Sequence, residues 1–403
     1  MRTDLMRTGP MCTDTMRYAV ALLLSLLIAG CEKPSANGPA PPPAAVAADS
    51  PWKPVHFFAE GLPPDLAEWN LLRVAGGRLQ LNTDVLPYDL NTQLFSDYAH
   101  KLRTVWMPKG QPARYDAQQE FDFPVGTIFS KTFYYPRGEG ESVLRGFDDG
   151  PDLRGGGLEL SKVRLVETRL LLRRKDGWLA LPYVWNTEQT QAKLMRGGEL
   201  LSLDLAGADG KHEAVDYQVP DQNQCAGCHG TDMKSKALHP IGPKARHLNR
   251  DFAYDDGLAN QIARWSLVGY LQGAPEPKSA PRDANWRDTG APLEARARAY
   301  LDINCGHCHN PKGPGNTSGL WLDAATQEPL RLGRCKLPIA AGKGTGDRRH
   351  DVVPGKPDES ILSFRMLSDD PSVMMPELGR SIVHEEGVQL IRDWIAAQRG
   401  TCD

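Results

Sequence analysis

The sequence contains no block of consecutive basic residues, and its 47 Lys and Arg are outnumbered by 50 Asp and Glu. The net charge of −3 therefore gives no sign of a surface for nucleic acid. Beyond the first 30 residues no apolar run is long enough to span a bilayer. Turn-forming residues are frequent instead, with 39 Gly and 32 Pro, which argues against a helical bundle. The 403 residues are enough for about two domains.

The first 30 residues combine three Arg with an apolar core at 18–28, the pattern of a secretory signal peptide. Cys31 follows two small residues, which resembles a bacterial lipobox and implies cleavage before Cys31 and lipidation of that residue. The alternative is an ordinary signal peptide with a chance cysteine. Glu32 is not the usual inner-membrane retention signal, so we expect an outer-membrane anchor. The mature chain then has 44 basic and 48 acidic residues, a net charge of −4.

Composition divides the mature chain into four parts, and we expect an α+β multidomain protein. Residues 31–53 form a Pro/Ala tether. Residues 54–220 predict a β-sandwich, jelly-roll-like, because runs of β-branched and aromatic residues alternate with Gly, Pro and Asp turns. Lys175-Asp176-Gly177 between two such runs is a hairpin signal. Residues 221–285 and 286–403 are expected to be mainly α.

Six aromatic residues in the β domain allow two interpretations. They form either a carbohydrate-binding platform or ordinary core and cross-strand pairs, and core is the commoner outcome. These residues are Phe133, Tyr134, Tyr135, Trp178, Tyr183 and Trp185.

The chain carries the pattern C-x-x-C-H twice, at residues 225–229 and 305–309. This pattern is the signature of covalent c-type haem attachment, in which two thiols bond one haem and the following histidine binds its iron. We therefore expect two haems c, attached through Cys225, Cys228, Cys305 and Cys308 and ligated by His229 and His309.

Other uses of paired cysteines fit the spacing poorly. A zinc ribbon needs its cysteine pairs about 15–20 residues apart, whereas Cys228 and Cys305 are 77 apart. A thioredoxin-like motif does not explain a histidine after both pairs. Structural disulfides between the motif cysteines remain as an alternative. Separately, the sequence leaves open whether the two leftover cysteines, Cys335 and Cys402, pair with each other in an oxidising compartment.

The second motif has the surroundings of a class I cytochrome domain. Helical patterns at 292–304, 357–366 and 385–398 surround it, and Gly387 would let the first and last of these helices cross closely. The first motif has no long helix ahead of it. A helical pattern follows it at 257–271, and Asp221 is a candidate cap of the short helix that carries it.

The sixth iron ligands are harder to assign. Met375, in a loop before the last helix, is the expected ligand of the second haem, with Met374 as the alternative and Met366 as a core residue. For the first haem the candidates stay open. They are Met195, Met233, His239, His247 and an open iron.

Taken together, these features resemble a largely uncharacterised family of proteobacterial dihaem c-type cytochrome lipoproteins, over nearly all of the mature chain. The resemblance rests on the two haem motifs and on Tyr88-Asp89-Leu90-Asn91-Thr92, Leu94-Phe95-Ser96-Asp97-Tyr98, Phe123-Pro124-Val125-Gly126, Glu167-Thr168-Arg169-Leu170-Leu171, Tyr183-Val184-Trp185-Asn186, Leu248-Asn249-Arg250, Asn260-Gln261, Arg298-Ala299-Tyr300-Leu301 and Met375-Pro376. It implies haem binding, export and a parallel β-helix protein as a partner. It supplies no substrate, and it implies that His307 and Leu320-Trp321-Leu322 are packing residues.

The leading hypothesis is a periplasmic or cell-surface electron-transfer lipoprotein with redox partner proteins and no catalytic residue. A peroxidase-like dihaem oxidoreductase with a reactive first haem is the second hypothesis. The third is a β domain that binds a carbohydrate or a partner and is coupled to the haems.

Overall fold

The structure is a computed structural model, and it describes residues 51–230, 237–339 and 341–402. The expected signal peptide, the lipidation site Cys31, all but the last three residues of the tether, and Met233 lie outside these residues. The described residues belong to one compact unit, which covers residues 44–403. Within them, no helix is both long and apolar enough to cross a membrane.

Antiparallel strands dominate the chain up to residue 219. The strands are β1 (Leu72–Ala75), β2 (Arg78–Leu81), β3 (Leu86–Tyr88), β4 (His100–Trp106), β5 (Ala113–Arg114), β6 (Ile128–Pro136), β7 (Val143–Leu144), β8 (Leu158–Glu159), β9 (Val163–Arg174), β10 (Gly177–Trp185), β11 (Ala192–Leu194), β12 (Glu199–Ala206), β13 (His212–Val219), β14 (Asp251–Tyr254), β15 (Gly257–Asn260) and β16 (Leu271–Gln272). The α-helices are α1 (Gln224–His229), α2 (Ala245–Leu248), α3 (Gln261–Leu267), α4 (Leu293–Leu301), α5 (Ile361–Leu367) and α6 (Glu385–Ala396). The chain therefore has the expected mixed character, with a β-rich part.

The central element is a six-stranded sheet with the order β11-β10-β9-β6-β4-β3. Its neighbouring strands β9 and β10 are joined at Lys175-Asp176, and Gly177 has a φ of +134° that favours glycine. The hairpin signal in the sequence is therefore confirmed. A register shift between Phe133 and Tyr134 marks a β-bulge in β6.

The two faces of this sheet have different partners. Leu102 and Leu170 on one face pack against Leu72 and Leu79 of the small sheet β1-β2-β8. The other face is apolar only at its two ends. One end packs against β12 and β13 through Phe133 and neighbouring residues.

The opposite end packs against the segment that follows the β-rich part. Val105 and Phe129 of the sheet share an apolar core with Ile262 and Trp265 of α3. The helical pattern predicted for residues 257–271 is correct only for Gln261–Leu267. Residues 257–260 instead pair with β14 as β15, and Leu271 belongs to β16. Between the two apolar ends, the middle of the sheet is left to face a cavity.

The mainly α region expected after residue 220 is not evident, because its helices are short and α6, the longest described, has 12 residues. The helices around the second motif nevertheless lie close to their predicted positions. A Cβ on Gly387 of α6 would meet the Tyr300 hydroxyl of α4 at 2.3 Å, so the close crossing of these helices requires glycine. Cys335 and Cys402, whose pairing was open, form a disulfide with a Cα–Cα distance of 5.2 Å.

Candidate functional site

Both C-x-x-C-H motifs open onto the same cavity, which has a volume of about 680 Å³. This volume is typical of a site for a cofactor or another small molecule. None of the four motif cysteines is in a disulfide, so structural disulfides do not account for them. All six residues predicted to attach or ligate the haems line the cavity, namely Cys225, Cys228, His229, Cys305, Cys308 and His309.

The first motif forms the short helix α1 at the end of the β-rich part. Asp221 holds its start, since the Asp221 carboxylate accepts from the Gln224 amide at 2.7 Å and the Gln224 side chain accepts from the Asp221 amide at 2.9 Å. At the other end, His229 Nδ1 lies 2.8 Å from the carbonyl oxygen of His239. The segment that returns at residue 239 thus fixes the orientation of the His229 ring.

The second motif follows α4 through a π-helical turn, Asp302–Gly306, an irregularity that is frequent at functional sites. His309 donates its backbone amide to Cys305 at 2.8 Å, which keeps the motif helical. Its ring Nδ1 lies 3.2 Å from the carbonyl oxygen of Leu320. Leu320, interpreted from the sequence as a packing residue, therefore also orients the ring of His309.

The two histidines share one arrangement. A backbone carbonyl accepts only from a protonated Nδ1, so the second ring nitrogen, Nε2, is left without a proton. Metal-binding histidines are oriented in this way by a partner of their other nitrogen. Both imidazoles are thus prepared to bind a metal through Nε2.

The two motifs are in contact with each other. The Cys308 Sγ lies 3.6 Å from the carbonyl oxygen of Gly227, the residue between the cysteines of the first motif. Groups bound to the two motifs would therefore be near neighbours.

The cavity environment controls the protonation of the motif side chains. Burial raises the pKa of Cys305 and of Cys308 to about 12, and it also raises the pKa of Cys225 and Cys228. Burial also lowers the pKa of His229 to about 3, and neutral imidazole is the form that binds iron.

The expected sixth ligand of the second haem, Met375, lines the cavity together with Met374 and Met366. The Met375 amide donates to the Arg365 carbonyl at 2.9 Å, and Arg380 donates to the Met375 carbonyl at 2.9 Å. These bonds hold the loop at the cavity wall. The choice between Met375 and Met374 stays open, because both side chains reach the cavity.

Three of the candidate sixth ligands of the first haem lie away from the cavity. Met195 packs in the apolar cluster between the sheets. His239 Nδ1 lies 3.5 Å from Glu120, and His247 Nε2 lies 2.8 Å from Asp302. None of these three lines the cavity, and Met233 lies outside the described residues. His307 does line the cavity, and its Nδ1 is buried without a hydrogen-bond partner.

The charged wall of the cavity was not predicted from the sequence. Lys101, Arg103, Lys131 and Arg169 project from the middle of the central sheet and line the cavity. A signal was present, because each of these residues lies within a strand that contains β-branched and aromatic or aliphatic residues.

The proposed carbohydrate platform has no counterpart on the surface. Trp178 is half-buried against Phe129. The other five aromatic residues are buried, namely Phe133, Tyr134, Tyr135, Tyr183 and Trp185. They form core and cross-strand contacts.

A second group of possible metal ligands, His247, Asp283 and Asp302, lies outside the cavity. The Arg246 guanidinium pairs with Asp302 at 2.8 Å and lies 3.5 Å from Asp283. The Arg246 guanidinium thus already supplies these carboxylates with the positive charge that a metal ion would bring.

Comparison of the chain with protein-family models, with curated proteins and with solved structures finds no match.

Proposed function

We propose that this protein is an exported dihaem c-type cytochrome that transfers electrons. One haem is attached through Cys225 and Cys228, and the other through Cys305 and Cys308. His229 and His309 bind the two irons. The observation that carries the proposal is that both C-x-x-C-H motifs line one cavity, with four free thiols and two imidazoles held through Nδ1.

Electron transfer is favoured over other haem functions by the arrangement of the motifs. A haem, when bound, supplies a one-electron redox centre. The contact between Cys308 and Gly227 keeps the two attachment sites adjacent, which suits exchange of electrons within the chain. Met375 offers a thioether, a ligand that raises the reduction potential.

The remaining features of the proposal rest on the sequence. The resemblance to the dihaem cytochrome lipoprotein family supports haem binding and export. The strand and turn pattern of residues 54–220 supports a jelly-roll-like β domain, and the helical patterns around the second motif support a class I-like final domain. The lipobox supports a lipid anchor at Cys31 and a position at the periplasmic or outer face of the outer membrane. Redox proteins and a parallel β-helix protein are the proposed partners.

A peroxidase-like dihaem oxidoreductase is the second candidate function. It is favoured by the position of Met195, His239 and His247, none of which lines the cavity. An iron with an open sixth position binds peroxide or cyanide, whereas a six-coordinate iron only exchanges electrons. His307, whose Nδ1 has no hydrogen-bond partner, is the competing ligand in the cavity.

The test is the haem content of the purified mature protein. A pyridine haemochrome assay should give a c-type spectrum and two haems per chain. The double variant Cys225→Ala, Cys228→Ala should retain one haem. A value of one or none for the unaltered protein would refute the proposal. Electron paramagnetic resonance then separates the two candidates, because two low-spin irons exclude the peroxidase-like function and one high-spin iron that binds cyanide supports it.

A further inference from the structure

Three cations form a row across the central sheet. Arg103 of β4 lies directly opposite Lys131 of β6, and Lys131 lies directly opposite Arg169 of β9. All three line the cavity. Like charges that face each other across strands destabilise a sheet, so the row needs negative charge close by.

The protein itself supplies only part of that charge. Arg103 pairs with Asp89 at 2.8 Å, but Asp89 also pairs with Arg250 at 3.0 Å. Arg169 donates to Glu167 at 2.9 Å. Among the described residues, no carboxylate lies within 4.0 Å of the ammonium group of Lys131.

Lys131 is therefore the uncompensated member of the row. Its ammonium group lies over the ring of Phe133, 5.2 Å from the ring centroid. Burial, followed by the neighbouring Arg169 and Arg103, lowers the pKa of Lys131 to about 7. Buried Lys101 adds to the excess, because its ammonium group donates to the Ala99 carbonyl at 2.6 Å rather than to a carboxylate.

The row lies on the side of the cavity that belongs to the first motif. The charges of Arg169 and Lys131 act on the Cys228 thiol and on His229. The imidazole of His309 in the second motif instead feels Arg365 and Lys336. The excess positive charge is thus directed at whatever Cys225 and Cys228 hold.

We propose that the row Arg103–Lys131–Arg169 binds the propionate carboxylates of the first haem. This inference rests on the proposed function, because it takes the haem as the occupant of the cavity. Charge-assisted hydrogen bonds from Lys and Arg keep a buried carboxylate ionised. They also place positive charge beside the first iron, which favours its ferrous form and raises its reduction potential.

The experiment is a spectroelectrochemical titration of the mature holoprotein and of three variants. Lys131→Gln should shift the ferric/ferrous equilibrium of one haem at least tenfold toward the ferric form, a fall of about 59 mV. Lys131→Arg keeps the charge and should leave the potential near that of the unaltered protein. Lys175→Gln is the matched control, since Lys175 is exposed in the turn between β9 and β10 of the same sheet, and it should change neither potential.

Haem content separates failure of this inference from failure of the proposed function. Fewer than two haems in the unaltered protein would refute the proposed function. If both variants carry two haems and Lys131→Gln has the same two reduction potentials as Lys175→Gln, the inference alone is overturned.

Two further measurements use the unaltered protein and need no variant to fold. The potential of the first haem should stay constant between pH 6 and 8, because propionates paired with the row stay ionised and in turn raise the pKa of Lys131 above the value that burial sets. A slope of about 59 mV per pH unit would show that they take up protons and would overturn the inference. Added inorganic phosphate should leave the potential unchanged, and a saturable shift would show that the row is open to free anions instead.

Discussion

Replacement of Asp302 by Asn should destabilise the protein. Asp302 is 5% exposed and begins the π-helical turn that leads to Cys305. Its carboxylate accepts from Arg246 Nε at 2.8 Å, from His247 Nε2 at 2.8 Å and from the Ala324 amide at 2.8 Å. These bonds join the segment after the first motif to the second motif.

The size of the expected loss in stability follows from the burial of the ion pair between Asp302 and Arg246. Removing one partner of a buried pair leaves an uncompensated charge and costs about 3–5 kcal/mol. Asp283 lies 3.5 Å from Arg246 Nε and compensates part of that charge, so we expect a loss of about 3 kcal/mol, near the lower limit. Urea unfolding at pH 7 measures the loss, and Asp255→Asn, at an exposed position, is the control.

The pH dependence gives an independent check. The bonds from His247 and Arg246 outweigh burial and hold the pKa of Asp302 far below its usual value. The unfolded state then binds the proton more readily, so the contribution of Asp302 is complete above about pH 4 and is lost as the pH falls below it. Asp302→Asn should therefore remove part of the acid sensitivity. Equal stability of Asp302→Asn and Asp255→Asn at pH 7, or unchanged acid sensitivity, would refute this reasoning.

Two further predictions concern the second motif and the disulfide. Met375→Leu should shift the ferric/ferrous equilibrium of the second haem at least tenfold toward the ferric form, a fall of about 59 mV in a redox titration, since loss of a thioether ligand lowers the potential. Met374→Leu should leave this potential unchanged. A fall in Met374→Leu and none in Met375→Leu would make Met374 the ligand. Cys402→Ser opens a loop of 67 residues and should lower the free energy of unfolding by about 4 kcal/mol in urea. A reductant should reproduce this loss in the unaltered protein, and no loss in either case would show that the disulfide does not stabilise the fold.

Helices that are encoded by residues close together in the sequence could be predicted. The helices α4, α5 and α6 lie near their predicted positions, because each is encoded by a local apolar spacing. The same reasoning failed at residues 257–260, where pairing with β14 overrides the helical pattern. Leu258, expected on the apolar face of that helix, is 73% exposed. Pairing with another strand is a tertiary contact that local spacing does not contain.

The haem motifs are a property of the sequence, since each is five consecutive residues whose chemistry depends on their spacing alone. Their shared cavity is a property of the fold, since residues 77 positions apart meet only when the chain packs. The carbonyls of His239 and Leu320 that orient the two imidazoles are likewise set by the path of the backbone.

The row Arg103–Lys131–Arg169 shows most clearly which properties come from the sequence and which come from the fold. Each strand was predictable from its own residues, and each charge was visible within it. Strand register decides whether these charges meet, and register depends on hydrogen bonds between segments distant in the sequence. The sequence by itself determined which chemical groups the protein has, and tertiary structure decided that they face one another across a single cavity.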